Sequence, residues 1–465
     1  MNTRIGILFA LLACTAVAQN APAPAWRLDY YHTGGPNLEV FSLDGIVVEP
    51  VPFSGHPSGF VDPVSAGGYR FEIRNSAGKV LYARGFSSIF AEWITTEEAT
   101  KFNRTFHESV RFPAPSESVT AVFLKRGANN ELREVWRQEV DPANLFIRRA
   151  APPRQNAIEI ERHGDPQDKL DILLLGDGYT AADRNKFMSD ARRLTDEFFR
   201  HEPFRSQRDR FNIWGICPES AESGISRPST GVHRSNPLGT TYDAFGSERY
   251  VLTFENRAMR DIACWAPYEF VEILVNNETY GGGGIYNLYA TVSVDNDWAN
   301  YIFVHEFGHH LAGLADEYYT SPVAYQPPAD IVEPWEPNVT ALSVPAALKW
   351  RDLVSPGTSI PTTWPKDEFE QHAREIQKRR GRIRAERRPE SEMSALFLEQ
   401  QLFESKLLGS FPESNRVGAF QGANYDAKAF YRSQADCIMF SRDDVPFCAV
   451  CRRALERVIA LYAPR

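Results

Sequence analysis

Val304-His305-Glu306-Phe307-Gly308-His309-His310-Leu311-Ala312-Gly313-Leu314-Ala315-Asp316-Glu317 is the stretch on which the reading of this chain turns. Residues four apart on an α-helix lie nearly above one another, so His305 and His309 point to one side and can grip a single metal ion. Glu306 sits beside them, placed to take the proton of a water at that ion. The flanks support a helix. Asp295, Asn296 and Asp297 offer N-caps before Trp298, and Trp298, Ile302 and Phe303 supply a buried face. Gly313 offers the stop. The helix is expected to be amphipathic. A bare His-Glu-x-x-His also arises by accident on helix faces; the caps and the two carboxylates that follow set this one apart.

Catalytic zinc takes three protein ligands and leaves a further position for water. His-Glu-x-x-His is the zinc-peptidase pattern, so one zinc per chain is expected. The stretch resembles the metzincin form, His-Glu-x-x-His-x-x-Gly-x-x-His. Two differences stand out. One extra residue precedes Gly313, and Asp316 occupies the place of the third histidine. Asp316 is therefore the expected third ligand. Glu317 is the alternative, because the extra residue can rotate the turn. His310 lies about 100° around the helix from His309 and reads as a surface histidine or as one that orients a ligand.

The chain has 465 residues, enough for two or three domains. Its formal charge of −9 argues against general nucleic-acid binding. Residues 1–18 read as a secretory signal: Arg4 is followed by an apolar run and by Ala16-Val17-Ala18 as a cleavage site. Leu11-Leu12-Ala13-Cys14 also resembles a lipobox, which would lipidate Cys14. The mature protein is thus expected outside the cytoplasm, secreted, periplasmic or lipid-anchored, with no membrane-spanning helix. Cys14, Cys217, Cys264, Cys437, Cys448 and Cys451 are the six cysteines. In an oxidising compartment Cys437 is expected to pair with Cys448 or Cys451. A Cys-x-x-Cys redox site ranks below that, and a second zinc site lower still.

Residues 25–148 read as short strands and turns, a small all-β sandwich with nothing catalytic in it. Residues 149–155 read as a linker. Residues 156–465 carry the catalytic domain, of α/β (α+β) class, with a charged insertion at about 321–415. In it, residues 169–175 and 211–216 read as strands, and Thr180 can cap a helix running to about Phe199. Further strands follow near 272–275 and 289–294. The four glycines at 281–284 read as a flexible hairpin turn, or as a mobile lip beside an edge strand that pairs with a peptide. Residues 366–388 read as a solvated helix. Its basic run at 378–384 is flanked by glutamates, which favours surface salt bridges over nucleic-acid binding.

The chain as a whole resembles the IgA-peptidase family of zinc metallopeptidases. The resemblance rests on the His305–Tyr318 region and on Leu173-Leu174-Leu175-Gly176-Asp177-Gly178-Tyr179. It also rests on Ser220-Ala221-Glu222-Ser223-Gly224, Tyr280-Gly281-Gly282-Gly283-Gly284 and Gly418-Ala419-Phe420-Gln421-Gly422-Ala423-Asn424-Tyr425. Tyr431-Arg432, Asp436-Cys437-Ile438-Met439 and Phe447-Cys448 with Cys451 complete the C-terminal part; Ser87-Ser88-Ile89-Phe90 with Glu92-Trp93 represents the N-terminal one. The resemblance implies a metzincin-like zinc endopeptidase preceded by a sandwich domain. Met439 looks like the methionine that metzincins place on a turn beneath the zinc. Glu306 is then the general base, and Tyr318, Tyr319, Tyr425 and Tyr431 are candidates to contact substrate or the developing oxyanion. Protein or peptide is the expected substrate. A zinc-binding but catalytically weak adhesin, and a metal-dependent amidase, are the competing readings.

Overall fold

The computed structural model describes residues 23–55, 60–321, 323, 331–342 and 344–463. The signal segment and Cys14 lie outside the described residues, as does part of the charged insertion.

Seven strands between Pro24 and Val140 make two antiparallel sheets. One orders Leu38–Pro52, Pro24–Gly35 and Arg104–Pro113; the other orders Val80–Phe86, Tyr69–Arg74, Val119–Arg126 and Leu132–Val140. Their inner faces share one core, in which Tyr30 of the first sheet meets Phe123 of the second edge-on at 5.1 Å. This is a sandwich, although Ala25–Tyr30 and Tyr69–Ile73 are buried at every position and so on both faces. It is fastened to the rest of the chain by polar contacts: Arg111 donates to Tyr268 O at 2.8 Å, and Asn256 donates to Ser109 Oγ at 2.7 Å.

The second half is built on a six-stranded sheet, ordered Gly282–Ile285, Tyr289–Ser293, Phe270–Val275, Leu170–Asp177, Phe211–Ile216 and Ile158–Glu161. The four inner strands are parallel and the two outer ones antiparallel to their neighbours. Leu170–Asp177 and Phe270–Val275 are buried along their whole length, as strands of a sheet covered on both faces must be; Asp171, Asp177 and Glu272 are their charged residues. Ile172 and Leu174 enter the core that holds the metal helix; Leu173 and Leu175 enter the other. Thr180 and Asp183 form a capping box before the helix Arg184–Phe198.

The helix that carries His305 and His309, the candidate metal helix, is Ala299–Ala312. Its N-terminus has no capping side chain on Trp298, though Asn296 Oδ1 accepts the Trp298 N–H at 3.0 Å. Gly313 ends it in the left-handed region, at φ 60°. The helix is not amphipathic. Phe303, Phe307 and His310 are buried on one side, and Ile302, His305, Gly308 and Ala312 are buried on the others, around the full turn. Its polar residues face an internal site instead of bulk solvent, so their pattern imitates a surface stripe.

The four glycines form no loose turn and no open lip. Gly282–Ile285 is a buried outer strand whose free edge is covered by the preceding chain: Val251 N–H bonds Gly282 O and Gly282 N–H bonds Arg249 O, both at 3.1 Å. The metal helix lies directly on it. A Cβ on Gly284 would overlap the carbonyl oxygen of Glu306 and stand 3.0 Å from His309 Cβ. Glycine here permits close backbone approach. Gly284→Ala is therefore expected to push the metal helix off the sheet and to cost about 1–3 kcal/mol. Denaturant unfolding checks this; a variant as stable as the parent would show that the helix does not depend on the approach.

The helix Lys366–Ala385 packs against Glu390–Gly409 as a hairpin. It is not simply solvated, since Phe369, Ala373, Ile376 and Ile383 enter the main core with Met393, Leu396 and Phe397 from its partner. Its basic residues are paired, but with glutamates of other segments and partly in the interior: Arg379 with Glu399 at 2.5 Å, buried Arg380 with Glu248 at 2.9 Å and Arg384 with Glu248 at 2.7 Å.

Candidate metal centre and active site

His305 and His309, one turn apart, bring their Nε2 atoms to 3.2 Å from each other. Asp316 Oδ1 lies 3.0 Å from the first and 3.2 Å from the second. Three donors around one tetrahedral zinc, each at about 2.0–2.1 Å, stand roughly 3.3 Å apart, so the donor set fits such an ion. The orientation of the rings fits it too. His305 Nδ1 faces Ile438 O at 2.9 Å, and His309 Nδ1 faces Leu314 O. Each Nδ1 is thereby fixed as the protonated nitrogen, which leaves each Nε2 lone pair aimed at the shared point.

Asp316 is held there by several distant elements. After Gly313 the chain doubles back over the helix. Buried Asn338 clamps it by accepting from Ala315 N–H at 2.8 Å and donating to Ala315 O at 2.9 Å. Glu317 N–H bonds Met439 O at 2.8 Å. A hairpin between Phe420–Ala423 and Asp426–Arg432 closes from the other side. Its two loop residues, Asn424 and Tyr425, have φ of 49° and 64°, the left-handed pair that a type I′ turn requires. Such a conformation is costly for tyrosine, and it has a local return. Asn424 N–H bonds Asp316 O at 3.0 Å, Tyr425 N–H bonds Tyr318 O at 3.2 Å, and Tyr425 hydroxyl donates to Asp316 Oδ2.

The charges follow from this packing. Burial works to raise Asp316, but His309 and His305 outweigh it and hold the carboxylate well below its ordinary range. Burial lowers His309, yet Asp316 and Glu306 overcome that and bring it up to about 9. The same negative field that draws a proton onto His309 draws a cation. Glu306 is half-buried in a narrow cleft with Tyr318, Tyr301 and Arg249. Burial, with Asp316 beside it, raises its carboxyl pKa; the two histidines oppose the rise.

The other expected residues fall into distinct places. Glu317 turns away from the histidines, and its Oε1 lies 3.3 Å from Cys451 Sγ. Met439 is fully buried beneath the metal helix, its sulfur 3.0 Å from where a Cβ on Gly308 would stand. Tyr318 stacks on His305 and accepts from Arg249 at 3.0 Å. Tyr319 points its hydroxyl at Glu370, 3.3 Å away, and the Tyr431 hydroxyl receives Gln421 at 3.4 Å, so neither joins the cluster. Cys437, Cys448 and Cys451 are free thiols, and Cys437 Sγ stands 3.9 Å from Cys451 Sγ; the expected disulfide is not formed. His310 is neither a surface residue nor a partner of the ligands. It is fully buried, accepts from Val271 N–H at 3.1 Å and faces Ile285 O at 3.1 Å. Burial lowers its pKa to about 3, so it is a neutral core histidine that ties two strands together.

A family model described as IgA Peptidase M64 matches residues 158–459, and one described as Peptidase M64 N-terminus matches residues 21–137.

The chain belongs to the IgA peptidase M64 family. It is accordingly a peptidase, a hydrolase of peptide bonds, and the family implies a metallopeptidase. No curated protein matches the chain. Among the described residues no helix is long and apolar enough to cross a membrane.

Three residues of this M64 peptidase's centre carry no signal in the sequence motif. Asn338 clamps the ligand turn. Arg249, on the segment that covers the glycine strand, holds Tyr318. Glu272 is fully buried on the central strand, and neither carboxylate oxygen has a hydrogen-bond partner. Burial, and then the nearby charge of Glu306, raise its pKa well above the carboxylate range, which favours its neutral form. Only its place in an otherwise apolar strand, Phe270–Val275, marks it in the sequence.

Proposed function

We propose that this chain is an exported zinc endopeptidase of metzincin-like design, with His305, His309 and Asp316 holding the ion and Glu306 as general base. The carrying observation is the convergence of three donor atoms, mutually 3.0–3.2 Å apart, with a Glu306 carboxylate oxygen within 4.8 Å of the two histidine donors. A zinc bound there supplies Lewis acidity, activating water and polarising the scissile carbonyl.

The chain's own residues do the rest. The Glu306 carboxylate accepts the proton of the attacking water and returns it to the nitrogen of the leaving amine. The Tyr318 hydroxyl, oriented by Arg249, lines the same cleft and donates to the oxygen that becomes negative. Tyr425 orients Asp316. Met439 supplies an apolar floor that fixes the ligand rings without bonding the ion. The substrate is a protein or peptide, without a commitment to immunoglobulin.

Purified protein incubated with a mixed protein and peptide library tests the reading. Cleavage is expected to stop when a zinc chelator is added and to return with zinc. Cleavage that persists unchanged after complete metal removal would sink it. The fragments from the active sample also report the sequence preference of the cleft.

A further inference from the structure

We propose that Glu317, Cys437, Cys448 and Cys451 form a second metal site, structural in role, that takes a thiophilic divalent cation such as zinc. This goes beyond the single zinc expected from the sequence motif and does not depend on the peptidase mechanism.

Four side chains from three separate segments meet here: the turn after the metal helix, the methionine turn and the start of the helix Ala449–Tyr462. All four are buried, with exposures of 0–3%. One ligand atom from each lies within 4.8 Å of all the others. Around a tetrahedral zinc, sulfurs at about 2.3 Å stand roughly 3.8 Å apart, and a sulfur and a carboxylate oxygen roughly 3.5 Å apart. The observed separations are 3.9 Å for Cys437 Sγ to Cys451 Sγ, 3.7 Å for Cys448 Sγ to Glu317 Oε1, and 3.3 Å for Cys451 Sγ to Glu317 Oε1. A disulfide would need its two sulfurs at about 2.05 Å.

The surroundings are arranged for sulfur anions. Met439 and Cys448 N–H groups point at Cys437 Sγ at 3.5 and 3.2 Å, and Cys451 N–H points at Cys448 Sγ at 3.4 Å. Cys448 caps the N-terminus of the last helix, whose dipole favours a thiolate. Glu317 gives an independent sign. Its Oε1 accepts from Asn338 at 3.0 Å, but its Oε2 is buried without a hydrogen-bond partner. A carboxylate placed so, among three thiols, is costly unless a cation shares the space. A pairing of any two cysteines would leave the third thiol and this carboxylate buried together.

Cation uptake is a coordination step with no change of oxidation state: metal–sulfur and metal–oxygen bonds form, and the displaced protons pass to solvent. Its consequence is mechanical. Glu317 follows Asp316 directly, and Cys437 lies two residues before Met439, so one ion would lock the catalytic ligand turn to the floor beneath it. Asp316 and Glu317, alternatives for one ion by spacing alone, here serve two.

The test measures zinc and its neighbours in the full chain. The parent is expected to carry two zinc ions, and His305→Ala with His309→Ala to retain one. X-ray absorption at the zinc edge of that double variant should show mainly sulfur at about 2.3 Å with a shorter oxygen. Cobalt in its place should give sulfur-to-metal charge-transfer absorption. In the parent, which needs no substitution to fold, the same edge should show sulfur together with nitrogen and oxygen. Parent protein whose zinc has no sulfur neighbour overturns the proposal. So does a non-reduced intact mass lower by two hydrogens, which marks a disulfide, or cysteines that all react freely with a thiol reagent in the folded, zinc-saturated chain.

Discussion

Glu306→Gln is expected to keep its full metal content and to lose turnover by roughly 10²-fold or more. Glutamine is nearly isosteric, so the half-buried position on the metal helix keeps its packing. What it loses is the ability to accept a proton. The carboxylate stands outside the trio of His305 Nε2, His309 Nε2 and Asp316 Oδ1, which are already in mutual contact at 3.0–3.2 Å. Removing its charge should therefore leave the ion in place. The two readings are metal per chain by elemental analysis and kcat on a peptide that the parent cleaves. Near-parental kcat would take the base assignment from Glu306. Loss of the metal along with the activity would instead make it a ligand.

What the sequence discloses is local, and what it hides is long-range. The helix, its two histidines and its glycine stop lie within fifteen residues, so their spacing can be read directly. The buried strands Leu170–Asp177 and Phe211–Ile216 and the helix Arg184–Phe198 are marked by continuous or periodic apolar residues and emerge near their expected bounds. The glycine run misleads because glycine is read as looseness. At Gly284 it answers instead to a helix backbone pressed on the strand, which no neighbour in sequence reveals. The metal helix misleads in the same way, since a polar face turned to an internal site has the same periodicity as one turned to water. The helix Glu390–Gly409 is masked by its mixed composition and by the charged helix before it.

The site shows the same limit more sharply. Tyr425 and Asp316 are 109 residues apart in sequence, and Asn338 lies in a segment with no motif of its own. A sequence motif supplies atoms for a site but not the contacts that hold them still. The cysteines illustrate a different obstacle. Their spacing suits a disulfide as well as a metal, and only the position of Glu317 among them separates the two.

Asp316→Ala is expected to weaken binding of the histidine-held metal by more than the roughly 10–100-fold that loss of an outer hydrogen-bond partner costs. Tyr425→Phe should fall within that range. The difference follows from the geometry. Asp316 Oδ1 is one of three converging donors, and alanine leaves only two imidazoles to hold the ion. Tyr425 reaches the other oxygen, Oδ2, so its loss frees the carboxylate to rotate but leaves it present. Phenylalanine keeps the ring and the same left-handed loop, so backbone strain does not enter the comparison. Glu317→Ala is the control. It removes no donor from the histidine-held ion, since that side chain faces the cysteines, so it should weaken that ion far less than Asp316→Ala does, and only through the turn that carries Asp316. Competition against a chromophoric chelator at fixed pH measures all three, scored on the equivalent that His305→Ala with His309→Ala removes. If Glu317→Ala weakens that equivalent more than Asp316→Ala does, the third ligand lies one residue further along the chain, and Tyr425 loses its role as the residue that orients that ligand.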